Sequence, residues 1–188
     1  MDIVDMVNSQ VIAAVQKDEH YNPAKESSCD IVFLLKGNLM TIINDVDELE
    51  NTYNKRTFIH FDLIDGLSSS RAAVEYISKV VKPTGIISTK PNVLKYAKEF
   101  DLSTIQRVFL FDTNALEKAI SMARSSKPDA LEIMPGIIPE ILDQLTRKIS
   151  FPIIAGGLIN TPEEVHNILA SGALAVSSTN SKVWQLGL

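Results

Sequence analysis

Eight short apolar runs recur along this chain, each followed by a stretch with helical spacing or helix-capping residues. The runs fall at 9–15, 30–37, 57–63, 85–89, within 103–112, at 130–136, and within 151–158 and 173–180. Runs such as Ile31, Val32, Phe33, Leu34 and Leu35 are apolar without alternation, the pattern of parallel strands covered on both faces. Strict strand–helix alternation predicts an α/β fold, and the number eight predicts a (β/α)8 TIM barrel. At 188 residues the chain is shorter than the usual ~250 of that fold, so its loops must be tight and some helices abbreviated. A doubly wound open sheet is the rival, but the first strand lacks the Gly-x-Gly-x-x-Gly turn of a dinucleotide fold. No Pro/Gly/Ser linker divides the chain, so residues 1–188 read as one barrel domain.

Between the strands, 17–28 is polar and contains Pro23, which predicts a loop with one short helix. An amphipathic helix is expected over 39–53 from Leu39, Ile42, Ile43, Val46 and Leu49. Residues 68–81 open with N-cap serines and bury Val74, Ile77 and Val81. Pro91 and Pro139 suit the first turns of helices over 91–100 and 139–149. Asp112, Thr113 or Asn114 caps a helix running to about Ser126, and Thr161 opens the helix between the last two strands. Asn180 can cap a short final helix through Lys182 and Trp184, and Trp184 is expected to seal the bottom or edge of the barrel.

The composition, 45% hydrophobic and 22% charged, is that of an ordinary globular protein. No apolar run approaches the roughly 20 residues of a membrane span. The start of the chain (Met1, Asp2, Ile3, Val4, Asp5) carries acid where a signal peptide would carry base, so the expected location is cytoplasmic. The single Cys29 cannot form an intramolecular disulfide and is expected to pack as a small apolar residue. Three widely spaced histidines, with His20 and His166 in polar contexts, predict no protein-only zinc site. The net charge of −5 argues against a whole-surface nucleic-acid binder. Within 79–127, however, nine Lys and Arg residues face four Asp and Glu, a local +5. That stretch is either a set of solvated helix faces or a basic flank.

In a barrel the working face lies at the C-terminal ends of the strands, and the polar groups of this sequence collect there. Gly156 and Gly157 follow the seventh strand; Ser178, Thr179 and Asn180 follow the eighth. Two adjacent turns of small residues can offer several backbone N–H groups to one phosphate. On the third strand, period two puts His60 and Asp62 on one face, with His60 expected as a buried core histidine. Asp62, Lys90 and Glu132 can bind hydroxyls or carry acid–base chemistry. Lys90 otherwise reads as an exposed residue before Pro91, and Arg107 as an interior salt-bridge partner.

An ordered set of motifs narrows this further. His60-Phe-Asp-Leu63, Gly85-Ile-Ile-Ser-Thr89, Ile105-Gln-Arg107, Asp112-Thr113, Glu132-Ile-Met-Pro-Gly136, Ala155-Gly-Gly-Leu-Ile159 and Ser178-Thr-Asn-Ser-Lys-Val-Trp184 resemble the glycerol-3-phosphate-responsive antiterminators of bacteria. Asp65 before Gly66 and the Lys90-Pro91-Asn92 triplet depart mildly from that pattern. The resemblance implies a non-enzymatic regulator with no cofactor, whose effector is glycerol 3-phosphate; no residue is expected as a metal ligand. It implies action on the leader mRNA of glycerol-utilisation operons, with a homo-oligomer as an open possibility. Phosphate would then fall on Gly156, Gly157, Ser178, Thr179 and Asn180, and the glycerol hydroxyls would face Asp62, Lys90, Glu132 or Arg107. The alternatives are a phosphosugar lyase, isomerase or synthase with Lys90 as Schiff-base lysine, and a small-molecule sensor whose output is a protein partner.

Overall fold

The computed structural model of the protein describes residues 3–188, so Met1 and Asp2 of the acidic start lie outside the described residues. Eight strands close into a barrel in chain order: β1 Val11–Val15, β2 Ile31–Leu34, β3 Arg56–His60, β4 Gly85–Ser88, β5 Ser103–Phe109, β6 Ala130–Met134, β7 Ile153–Gly156 and β8 Ala175–Ser178. All neighbours are parallel, and closure comes from β1 pairing with β8 through Val11↔Val176, Ile12↔Ser177 and Ala13↔Ser178. The helices are α1 Ile3–Met6, α2 Asp18–Glu26, α3 Ile42–Asp47, α4 Arg71–Tyr76, α5 Pro91–Glu99, α6 Thr113–Ser126, α7 Pro139–Lys148 and α8 Pro162–Ala170. None is long and apolar enough to cross a membrane.

Alternate strand residues divide the buried side chains into two cores. Ile12, Ala14, Ile31, Phe33, Phe58, Ile87, Ile105, Ala130, Ile154 and Ala175 fill the barrel interior. Their strand neighbours, such as Val11, Val32, Ile59, Ile86, Leu131 and Val176, pack outward against the helices. Phe33 and Phe58 meet edge to face with centroids 5.9 Å apart, and burying each ring contributes about 1.5–3 kcal/mol. Gly85 makes this possible: a Cβ there would lie 2.5 Å from the Phe58 ring and 2.4 Å from the Ser103 carbonyl oxygen. The floor is α1, whose Ile3 and Met6 join the interior core. Sequence reasoning missed this plug because a four-residue helix has no readable period.

Several expectations need correction. The one short helix expected within 17–28 takes up most of that stretch, as nine-residue α2 over Asp18–Glu26 with Pro23 inside it. Tertiary contacts outweigh the lost hydrogen bond, since Ala24 is buried and the Tyr21 hydroxyl donates to the Asp45 carbonyl and to Glu48. His20 is largely enclosed, its Nδ1 accepting the Gln16 N–H and its ring edge-on to Trp184. The helix expected over 39–53 begins at Ile42 and widens into a π turn over Glu48–Thr52; the 68–81 helix does the same over Ile77–Val81. The final helix does not form. Residues 181–186 run as turns, and Asn180 Oδ1 accepts only the Lys182 N–H. This tail descends the outside of the barrel until the Leu188 carbonyl meets the Gln10 N–H. Along it, Trp184 is buried, donates its indole N–H to the Ser178 carbonyl and accepts from the Ser28 hydroxyl. Trp184 therefore seals the flank of the barrel and leaves the bottom to α1. Cys29 is buried as expected, and burial pushes its thiol up to about 11.

Candidate functional site

The upper interior is polar where the lower interior is apolar. Ile105 and Ala130 face inward, so two residues further on Arg107 and Glu132 face inward as well. They stand opposite each other in the β5–β6 register. Arg107 Nε lies 2.6 Å from Glu132 Oε2, and the side chains are 7% and 0% exposed. Ser177, inward-facing on β8, donates its hydroxyl to Glu132 Oε1 at 2.8 Å. A buried carboxylate requires this treatment, because losing one partner leaves an uncompensated charge. Gly156 supplies the room. A Cβ at that position would lie 2.8 Å from Glu132 Oε1 and 2.6 Å from the Ser177 hydroxyl.

Above this cluster the turns after β7 and β8 run side by side. Gly157 and Leu158 both adopt positive φ, +80° and +64°, which swings the chain over the barrel before Thr161 caps α8. Glu164 completes a capping box, accepting the Asn160 and Thr161 N–H groups. Those N–H groups, Asn160's first, hold its carboxyl below the usual range. The Ser178 hydroxyl donates to the Ile159 carbonyl, and the Asn180 side-chain amide donates to the Asn160 carbonyl. The two turns are thereby tied together. Beneath them lies a cavity of about 230 Å³, lined by Gln16, Arg107, Glu132, Gly157, Leu158, Ile159, Asn160, Ser177, Ser178 and Thr179 among others.

Of the expected phosphate-binding residues, Gly157, Ser178 and Thr179 line this cavity. Gly156 and Asn180 shape it from behind, and the Asn180 N–H is engaged by the Ser178 hydroxyl. Of the expected hydroxyl-binding residues, Arg107 and Glu132 line it, while Asp62 and Lys90 do not. The third strand stops at His60 and Asp62 falls in a 3-10 turn over Phe61–Leu63, so the period-two pairing with His60 fails. Asp62 instead accepts the Ser88 hydroxyl, the Thr89 N–H and the Thr89 hydroxyl, fastening the β3 turn to the end of β4. Lys90 is half-exposed, donates to the Ser69 hydroxyl and stands 4.0 Å from Asp62. Sequence reasoning missed Gln16, Asn160 and Ser177. Ser177 was legible from its period-two relation to Ala175, and Gln16 from its place just past β1.

His60 is 3% exposed, and its Nδ1 has no protein partner. Burial, then the nearby Arg107 charge, lowers its pKa to about 4 against a weaker opposing pull from Asp62. The ring is therefore neutral at pH 7, and the interior carries one cation and one carboxylate in balance.

The chain has recognisable relatives. The family model described as glycerol-3-phosphate responsive antiterminator matches residues 11–184. The chain belongs to that family. It is 38% identical to an uncharacterized protein of Escherichia coli K12, YgcP, over 94% of this chain and 92% of that one. The crystal structure of a glycerol uptake operon antiterminator regulatory protein from Listeria monocytogenes superposes with a TM-score of 0.89 at 33% identity, covering 94% and 95% of the two chains. An antiterminator-related protein from Thermotoga maritima does so with a TM-score of 0.82 at 26% identity, covering 94% and 98%. Membership places this barrel among proteins described as glycerol-3-phosphate responsive antiterminators.

Two predictions follow from the interior charges. Arg107→Met strands Glu132 and is expected to lower unfolding free energy in urea by about 3–5 kcal/mol, whereas Arg107→Met with Glu132→Leu recovers most of that loss. A double variant as unstable as the single one contradicts this account. For His60, the unfolded side chain binds its proton near pH 6.5 and the folded one only near pH 4. The unfolded state therefore holds more protons in between, so stability falls as pH drops from about 6.5 to about 4. His60→Gln should flatten that limb, and NMR titration of the ring should place its midpoint near 4; a midpoint near 6.5 contradicts the assignment.

Proposed function

We propose that this protein binds glycerol 3-phosphate beneath the β7 and β8 turns and uses its occupancy to control antitermination on the leader mRNA of a glycerol-utilisation operon. The observation that carries this reading is the tied pair of turns over a cavity floored by Arg107 and Glu132. Backbone N–H groups of Gly157, Leu158 and Thr179 are the donors for a phosphate. Arg107 meets Glu132 through Nε, which leaves the end of its guanidinium to add positive potential. Glu132, Ser177 and Gln16 suit the glycerol hydroxyls, since a carboxylate accepts from a hydroxyl but repels a phosphate. Asp62 and Lys90 are assigned to the rim and not to the ligand.

The same features favour a sensor over a catalyst. Both oxygens of Glu132 are already engaged, by the Arg107 guanidinium and the Ser177 hydroxyl, which leaves it poorly placed to exchange a proton with a substrate. Lys90 is half-exposed and lies outside the cavity, a poor setting for a Schiff-base lysine, which needs desolvation. A regulator needs a ligand that binds one state better than the other. Turns that close on a phosphate meet that requirement, and a leader transcript as target implies a cytoplasmic site of action.

Calorimetry tests the reading. Glycerol 3-phosphate should give saturable heat, glycerol at least roughly ten-fold weaker binding, and NMR should show the ligand unchanged after incubation. Thr179 is exposed, so Thr179→Asp should leave folding intact and abolish binding by like-charge repulsion. Full affinity in Thr179→Asp, or turnover of the ligand, would overturn the proposal.

A further inference from the structure

Nine large hydrophobic side chains are exposed among the described residues, and six of them stand at or just beyond the C-terminal ends of strands, toward the mouth of the barrel: Met40, Leu63, Phe109, Phe111, Ile138 and Leu158. Leu63 and Leu158 line the ligand cavity, which accounts for them. Phe109 and Phe111, at the end of β5 and just beyond it, line none of the cavities described. They are 43% and 83% exposed. Their rings lie 6.0 Å apart at an interplanar angle of 7°, a parallel stack with its outer ring open to solvent.

The surrounding stretch, 79–127, carries a net excess of cations. Lys95 and Lys118 sit in the second turns of α5 and α6, near the helix starts that rise to the mouth, and both are exposed. Neither forms an ion pair, whereas Lys79 and Lys98 of the same stretch are paired with Glu75 and Asp129. Of the four acids in this stretch, Asp112 caps α6 and Glu99 meets Arg71, while Asp101 and Glu117, the latter beside Lys118, are exposed.

We propose that Phe109 and Phe111 form a stacking platform for unpaired RNA bases, with Lys95 and Lys118 meeting the flanking phosphates. This rests on the RNA-directed reading given above and names the surface it uses. Every base has a π-face, so an open aromatic stack takes bases without needing groove geometry. Lysines beside it supply the salt-dependent part of the affinity. The platform also lies where the ligand can reach it. Arg107 on the cavity floor precedes Phe109 by two residues on the same strand, so a ligand that engages Arg107 acts on the strand end that carries the rings.

The test uses RNA selected from a random-sequence pool by the wild-type full chain in the presence of glycerol 3-phosphate. Phe111→Ala should weaken binding of that RNA by roughly five- to a hundred-fold, the contribution of one stacked base, while Phe111→Trp retains it. Both variants should bind glycerol 3-phosphate as the wild type does, which separates the platform from the ligand site. Phe111→Ala binding the selected RNA as tightly as wild type overturns the platform and leaves the RNA reading standing. Loss of a wild-type dimer in Phe111→Ala, with RNA affinity unchanged, would instead make this face an interface between copies. A wild-type protein that enriches no RNA brings down both.

Discussion

A carboxylate stands inside this barrel at Glu132, and the upper half of the interior is arranged around it. An isolated charge there would be several kcal/mol too costly to hold. Arg107 neutralises it across the β5–β6 register, Ser177 satisfies its second oxygen from β8, and Gly156 leaves the space it fills. Four consecutive strands are thus committed at one height. Substituting any of these residues alone either strands a charge or overfills the space. The lower half is packed chiefly by phenylalanine, isoleucine and alanine side chains and by the α1 plug.

This division gives the mouth two unlike sides. On the β3–β4 side the polar groups satisfy one another: Asp62 accepts from Ser88 and Thr89, and Lys90 donates to Ser69. On the β7–β8 side the polar groups fasten the turns to each other from behind and leave a cavity in front. A rigid rim facing a cavity under tied turns is a geometry in which a small anion can be held by backbone donors without a dedicated lysine. Membership of the antiterminator family accords with that arrangement.

Much of this was legible in the sequence, and the exceptions share a physical cause. Apolar runs separated by capped amphipathic stretches specify closed α/β topology because period and length are local properties. The two small-residue turns were visible for the same reason. Asp62 and Lys90 fall outside the cavity because β3 ends at His60 and β4 at Ser88, which puts Asp62 in a turn and Lys90 at the N-cap of α5. Alternation continues on paper past His60, while the chain turns into a 3-10 segment. Glu132 could be recognised as an acid at a strand end, but its partners could not, since β5 and β8 meet it only through register and barrel closure. Gly156 was read as a turn glycine; its role as a vacancy for a carboxylate appears only in three dimensions. In place of the final helix the segment runs as turns, with the buried Trp184 indole N–H bonded to the Ser178 carbonyl.

The central claim is that phosphate binds the β7 and β8 turns while the remainder of the ligand points down toward Glu132. A crystal structure of the protein grown with glycerol 3-phosphate tests it most directly. The account predicts phosphate density against the backbone of Gly157, Leu158 and Thr179, with the glycerol hydroxyls within hydrogen-bonding distance of Glu132 or Ser177. Phosphate density on Lys90 and Ser69, across the mouth, would contradict it.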